Sequence, residues 1–129
     1  MVSGEEWFWG GKFSADQKAD LIQTFDRTIR HPGALAVMKY DHSAGVATLH
    51  IILEPTLRGG RNVGALIGQA VEQARSDGMQ KVVAPLVGGS PHLKPNRDRK
   101  FGFTREATLR RHVFVNGALR DLHLYALFL

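Results

Sequence analysis

Residues 46–78 read VATLHIILEPTLRGGRNVGALIGQAVEQARSDG, and the fold is decided here. Val46 to Leu53 is a strand. After Arg58-Gly59-Gly60, Val63, Leu66, Ile67, Ala70, Val71 and Ala74 recur at i, i+3, i+4, i+7, i+8 and i+11, the spacing of an amphipathic helix, and Asp77-Gly78 stops it. A strand ending at Leu53, Pro55 two residues on, a basic glycine-containing turn and a good helix together make an anion site, because free N–H groups and the positive helix end converge there. Such a site suits a pyrophosphate. The same glycines also fit a tight turn that binds nothing, and both readings stand. A P-loop is excluded because Gly-Lys-Ser/Thr is absent. A dinucleotide-binding turn is excluded because Gly59, Gly60 and Gly64 have the wrong spacing.

Upstream, Ala34 to Tyr40 and the turn Asp41-His42-Ser43-Ala44-Gly45 complete a β-hairpin with Val46 to Leu53. Before it, Ser14 with Gln17 is a capping-box pattern, and Leu21, Ile22, Phe25 and Ile29 share a helical face. This predicts a helix from about Ala15 to Arg30, stopped by Pro32-Gly33. Trp7, Phe8 and Trp9 form an aromatic cluster, read as a short strand or as a plug over the core.

Downstream, Lys81 to Val87 is a mostly apolar, buried strand, in which Pro85 marks a bulge or a departure from a neighbouring strand. Gly88 to Pro95 is loop, and a short helix is expected up to Lys100, ended at Gly102. Leu109 to Val115 and Leu119 to Leu127, joined by Asn116-Gly117, carry the strongest hairpin signal in the chain. The order is helix, β, β, helix, β, short helix, β, β. It implies an α/β (α+β) domain with a mixed, mainly antiparallel sheet and helices packed on it.

At 129 residues with 43% apolar residues, the chain holds one core, so residues 1–129 are expected to form a single domain. Without cysteine there is no disulfide framework, thiolate metal site or thiol nucleophile. His31, His42, His112 and His123 show no metal spacing, and no metal is expected. No Ser sits in a G-x-S-x-G elbow, which disfavours a Ser/His/Asp hydrolase. There is no signal-peptide pattern, and no apolar run approaches the roughly 20 residues that span a bilayer. The expected compartment is the cytoplasm, with no membrane partner. The formal charge is +5. Much of it lies in 94–111, where Lys94, Arg97, Arg99, Lys100, Arg105, Arg110 and Arg111 meet only Asp98 and Glu106. Such a face attracts a phosphorylated cofactor or a nucleic acid, or is simply solvated.

Two motifs in order carry a family resemblance. Leu53-Glu54-Pro55-Thr56-Leu57-Arg58-Gly59-Gly60 is followed, without a gap in register, by the helix through Ala65, Leu66, Ala70, Ala74, Arg75 and Gly78. About forty residues on, Lys100-Phe101-Gly102-Phe103 is followed by Glu106, Arg110, Asn116-Gly117 and Asp121. From about Ala34 to Leu129 the chain resembles the GNAT-type N-acetyltransferases, leaning toward the branch that acetylates protein N-termini. Ahead of Ala34 it is shorter than the family pattern.

The resemblance implies acetyl-CoA as co-substrate and an amine acceptor, in a monomer or homodimer. Backbone amides of Ile51, Ile52 and Leu53 would hold the pantetheine arm, and Arg58, Gly59, Gly60, Arg61, Asn62, Val63 and Gly64 would cradle the pyrophosphate. Arg61 and Val63 stand where the family carries glycines, so either Arg61 adds a phosphate contact or Gly64 assumes part of the role. The candidate proton-handling side chains are His50 on the strand, Glu54 at the mouth and Asp98. Asp98 stands where family members often have a tyrosine general acid, and an ionised carboxylate cannot replace that phenol. An α-amine needs deprotonation less than a lysine amine, which favours it as acceptor. The competing reading is a non-catalytic GNAT-like module that binds a protein or nucleic acid through its basic face.

Overall fold

The computed structural model describes residues 6–8, 11–13, 24–32, 34–53, 61–88, 102–115 and 117–129. Its strands are β1 (Glu6–Phe8), β2 (Gly11–Phe13), β3 (Arg27–His31), β4 (Ala34–Asp41), β5 (Val46–Leu53), β6 (Lys81–Val87), β7 (Thr104–Val115) and β8 (Ala118–Phe128), and α1 (Arg61–Ser76) lies between β5 and β6. They build one eight-stranded mixed sheet in the order β2-β1-β5-β6-β8-β7, with β4 also paired to β5 and β3 to β4. Only β5 and β6 run parallel; the other pairs are antiparallel.

The expected β4–β5 hairpin is present, in register from Ala34↔Leu53 to Asp41↔Val46. Its turn is held by Asp41, whose Oδ1 accepts from the Ser43 and Ala44 amides at 3.1 and 3.2 Å and from the Ser43 hydroxyl at 2.7 Å. These are the local side-chain bonds that make Asp a turn residue. They also hold the Asp41 carboxyl below the usual carboxylate range, the Ser43 hydroxyl first among the causes.

Strand alternation splits the core in two. Ala36, Met38, Tyr40, Ala47, Leu49 and Ile51 join Leu66, Ile67, Ala70, Val71 and Ala74 of α1 in the main cluster. Leu35, Val37 and Ile52 form a second cluster with Phe25. The apolar stripe of α1 is therefore the one read from its spacing. The helix ends in a Schellman motif: the Met79 amide donates to Ala74 O at 3.0 Å and the Gly78 amide to Arg75 O at 3.1 Å. That geometry requires positive φ, and Gly78 has φ 83°.

The helix expected from Ala15 to Arg30 is corrected at its C-terminal end. Arg27–His31 is a strand, paired from Arg27↔Met38 to His31↔Ala34. The ladder is seeded one residue earlier, where the Asp26 amide donates to Met38 O at 2.9 Å and Asp26 Oδ2 accepts from the Tyr40 amide at 2.7 Å. Phe25 packs with the second cluster and Ile29 with the main one, so two residues a helix would align lie on opposite faces of the sheet. Tertiary pairing overrides the local period. Residues 15–23 of the expected helix, and the short helix expected before Gly102, lie outside the described residues.

β6 pairs with β8 over its whole length, Lys81↔Phe128 to Val87↔Leu122, but with β5 only over Val46–Thr48 and Lys81–Val83. The departure expected at Pro85 thus begins just before it. β7 and β8 form the expected hairpin and are longer than read, with irregular register between Arg105 and Ala107 and between Leu109 and Val113. No described helix is long and apolar enough to cross a membrane.

Candidate functional site

β5 has two edges of unequal fate. One is paired with β4 along all eight residues. The other is shared: β6 takes Val46, Ala47 and Thr48, and β1 takes Ile52 and Leu53 through Phe8↔Ile52 and Trp7↔Leu53. Between them, β6 has parted from β5 beyond Thr48 and the β1 register begins at Ile52, so β5 and β6 diverge along this part of the strand. The cleft between two diverging strands suits an extended group that lies along one of them. The aromatic segment at 7–9 is in part the short strand expected, since Trp7 and Phe8 lie in β1, while Trp9 is outside the described residues.

α1 begins at Arg61, eight positions after the last residue of β5, and has no acidic residue in its first turn. Its free amides and positive end are therefore uncompensated from within the helix. Of the residues the resemblance assigns to the cofactor, Ile51 is buried in the main cluster, Ile52 in the second, and Leu53 closes β5. Arg61, Asn62, Val63 and Gly64 open α1, with Gly64 half-buried. Arg58, Gly59 and Gly60 lie outside the described residues, as do Glu54 and Asp98.

His50 is described. It pairs with Val37 across the ladder and shares the strand parity of Ile52, on the side of the sheet opposite α1. Its ring meets Phe25 edge-on with centroids 5.7 Å apart. Burial pushes its pKa down to about 4, so the imidazole is neutral at pH 7. A neutral imidazole on β5 where β6 diverges from it can accept a proton or hold a water.

Asp77 is the polar hub that sequence reading missed, having taken it only as a helix stop. Its carboxylate accepts from Arg27 Nε at 2.9 Å, the Tyr40 hydroxyl at 2.6 Å and Gln73 Nε2 at 3.0 Å. The Arg27 bond first, then those from Tyr40 and Gln73, holds its carboxyl well below the usual range. Burial, reinforced by Asp77, pushes the Tyr40 hydroxyl above the usual phenol range. The hub fastens β3 and β4 to the end of α1. Arg27 and Tyr40 are 50 and 37 positions away, and no local pattern announces such a pairing.

In the basic segment, Arg105, Arg110 and Arg111 are exposed on β7, Glu106 pairs with Lys81 at 2.8 Å, and 94–100 lies outside the described residues. No group of three or more His, Asp or Glu residues is arranged for a metal ion among the described residues.

No family model and no curated protein matches the sequence. Solved structures do match the fold. A ribosomal-protein-alanine N-acetyltransferase from Brucella melitensis superposes with a TM-score of 0.66, 19% identical, over 79% of this chain and 67% of that one. The dodecameric spermidine N-acetyltransferase from Vibrio cholerae gives 0.67, at 20% identity over 74% of this chain and 56% of that one. An N-acetyltransferase from Staphylococcus aureus gives 0.65, at 18% identity over 74% and 59%. The chain has the GNAT-type acetyltransferase fold, and it spans between about half and two-thirds of the length of these structures.

Proposed function

We propose that the protein is an acyltransferase that moves an acetyl group from acetyl-CoA to an amine, either a peptide α-amine or a small-molecule amine. The observation that carries this reading is the parting of β6 from β5 after Val83, in a fold shared with N-acetyltransferases. Acetyl-CoA supplies the activated acetyl thioester. The chain's own part is to bind and orient it. Amides along Ile51, Ile52 and Leu53 hold the pantetheine arm and polarise the thioester carbonyl, as preorganised donors do in acyl transfer, the arm displacing β1 where it reaches Ile52 and Leu53. The Arg58–Gly64 turn and the start of α1 take the pyrophosphate. His50 is the leading proton-handling or water-holding side chain, ahead of Glu54 and Asp98. With no strong base among these candidates, a weakly basic α-amine, with a reference pKa near ~8, is the easier acceptor.

The test is ligand-dependent stability. Acetyl-CoA at about 100 times its Kd should stabilise the fold by about 2.7 kcal/mol and shift the melting temperature upward. Flat melting curves up to millimolar acetyl-CoA would sink the reading. Where a shift is seen, peptide α-amines are screened against lysine, polyamine and aminoglycoside amines to find the acceptor.

A further inference from the structure

The β7–β8 hairpin outruns the sheet that supports it. β8 is paired with β6 from Leu122 to Phe128, whereas Ala118–Arg120 pair with β7 alone. A two-stranded ribbon in water is marginal by itself. This one is braced at its root: the Gly88 amide donates to Asp121 O at 2.8 Å, and the Arg111 amide to Asp121 Oδ1 at 2.9 Å. The second bond pins a wide bulge in which Arg110, Arg111 and His112 oppose Asp121 alone, and Arg111 adopts φ 48°.

The arm carries an unusual surface for solvent. Phe114 and Leu119 are cross-strand partners and are 71% and 48% exposed. Arg110 and Arg111 are exposed in the bulge before that pair, Arg120 is exposed on the other face of the ribbon because it follows Leu119 directly on β8, and among the described residues no carboxylate pairs with their guanidinium groups. Aromatic residues and arginine are the side chains enriched at protein interfaces. The charge selects the partner. A second copy would bring like-charged arms together, which costs affinity. Single-stranded nucleic acid is bound best by several flat aromatic platforms, and the described arm offers only the Phe114 ring and the His112 imidazole, beside an aliphatic leucine.

We propose that the β7–β8 arm docks an acidic polypeptide segment bearing an apolar side chain, whose carboxylates meet Arg110 and Arg111 while its apolar residue covers Phe114 and Leu119. This inference is independent of the acetyltransferase reading. The arm is supported through the pairing of β8 with β6, and β5 takes no part in it.

Fluorescence anisotropy with the full chain tests it. The probe is a labelled octapeptide of Asp and Glu around a central Leu-Phe pair; controls are the same peptide with Lys for each acid, and an oligouridylate RNA. The acidic peptide should bind saturably and weaken about tenfold between about 50 and 300 mM salt. Arg110→Gln with Arg111→Gln should weaken it at least about tenfold and flatten the salt dependence. Phe114→Ser with Leu119→Thr should weaken it similarly while keeping the salt slope. All four positions are exposed, and unchanged melting curves verify that the variants fold. The proposal is overturned by any one of four results: no binding of the acidic peptide at low salt, equal binding of the lysine peptide, tighter binding of the RNA, or a dimer in sedimentation that Phe114→Ser abolishes.

Discussion

Tyr40 donates its phenolic hydroxyl to Asp77 Oδ2 at 2.6 Å, joining the outer end of β4 to the residue just beyond α1. Tyr40 is only 8% exposed, so its hydroxyl has little water to fall back on. Tyr40→Phe removes a charge-assisted bond while Arg27 and Gln73 still hold the carboxylate. It should cost about 1.5 kcal/mol in urea unfolding at neutral pH. An unchanged midpoint would mean that the bond contributes nothing net.

The same carboxylate sets an acid limit. Asp77 has a lower pKa folded than unfolded, so its contribution is fully present above the unfolded value near ~3.9 and is lost as pH falls through the folded one. Stability should therefore decline below about pH 4, and Asp77→Asn should make that decline shallower while lowering stability at neutral pH. Asp26, held low chiefly by the Tyr40 amide, and Asp41 leave part of the slope in place. Denaturant titrations at several acid pH values read the slope directly; parallel curves for the two proteins would remove Asp77 from the account.

His50 acts in a higher window. Its folded pKa of about 4 lies below the unfolded value near ~6.5, so between these the unfolded chain binds more protons and stability rises with pH. The effect spans roughly 3 kcal/mol across the window. His50→Gln should flatten it. Once an acceptor amine is known, the same variant should lower kcat by about 10²- to 10⁴-fold with little change in acetyl-CoA affinity. Wild-type kcat with a flattened pH profile would leave His50 as a packing residue under Phe25.

Two glycines allow a backbone comparison. Gly78 has φ 83° with open space where a Cβ would stand, and Gly102 has φ 90° with Leu127 Cδ1 at 3.0 Å from that point. Alanine at either position should cost about 1–2 kcal/mol for the left-handed backbone. Gly102→Ala should be the worse of the two, since the Leu127 side chain must also shift. Thermal melts of both variants decide the order, and a reversed order would contradict the geometry.

Legibility followed the range of the forces involved. The α1 stripe and the β4–β5 and β7–β8 hairpins were readable because spacing and turn chemistry are local, with Asp41 and Asn116-Gly117 marking the turns. Pro85 announced the parting of β5 and β6 because proline supplies no ladder donor. Arg27–His31 misled because Phe25 and Ile29 satisfy a helical period as well as two faces of a sheet, and only the pairing with β4 separates the cases. Asp77 was invisible as a hub because its partners Arg27 and Tyr40 come from β3 and β4. Of the candidate site, the strand residues and the start of α1 are placed, while Glu54, Arg58, Gly59, Gly60 and Asp98 fall outside the described residues.

The N-terminal hairpin and β6 divide one edge of β5 between them, and this sets a ruler for whatever lies along it. The three residues between their registers, Leu49 to Ile51, measure roughly 10 Å. A ligand whose extended arm fits within that ledge can bind with both neighbours in place. A longer one must peel Trp7 and Phe8 from Leu53 and Ile52, so its affinity includes the cost of undoing a rung of sheet the protein makes with itself. Occupancy of the ledge and attachment of β1 are then coupled in both directions, and each reports on the other.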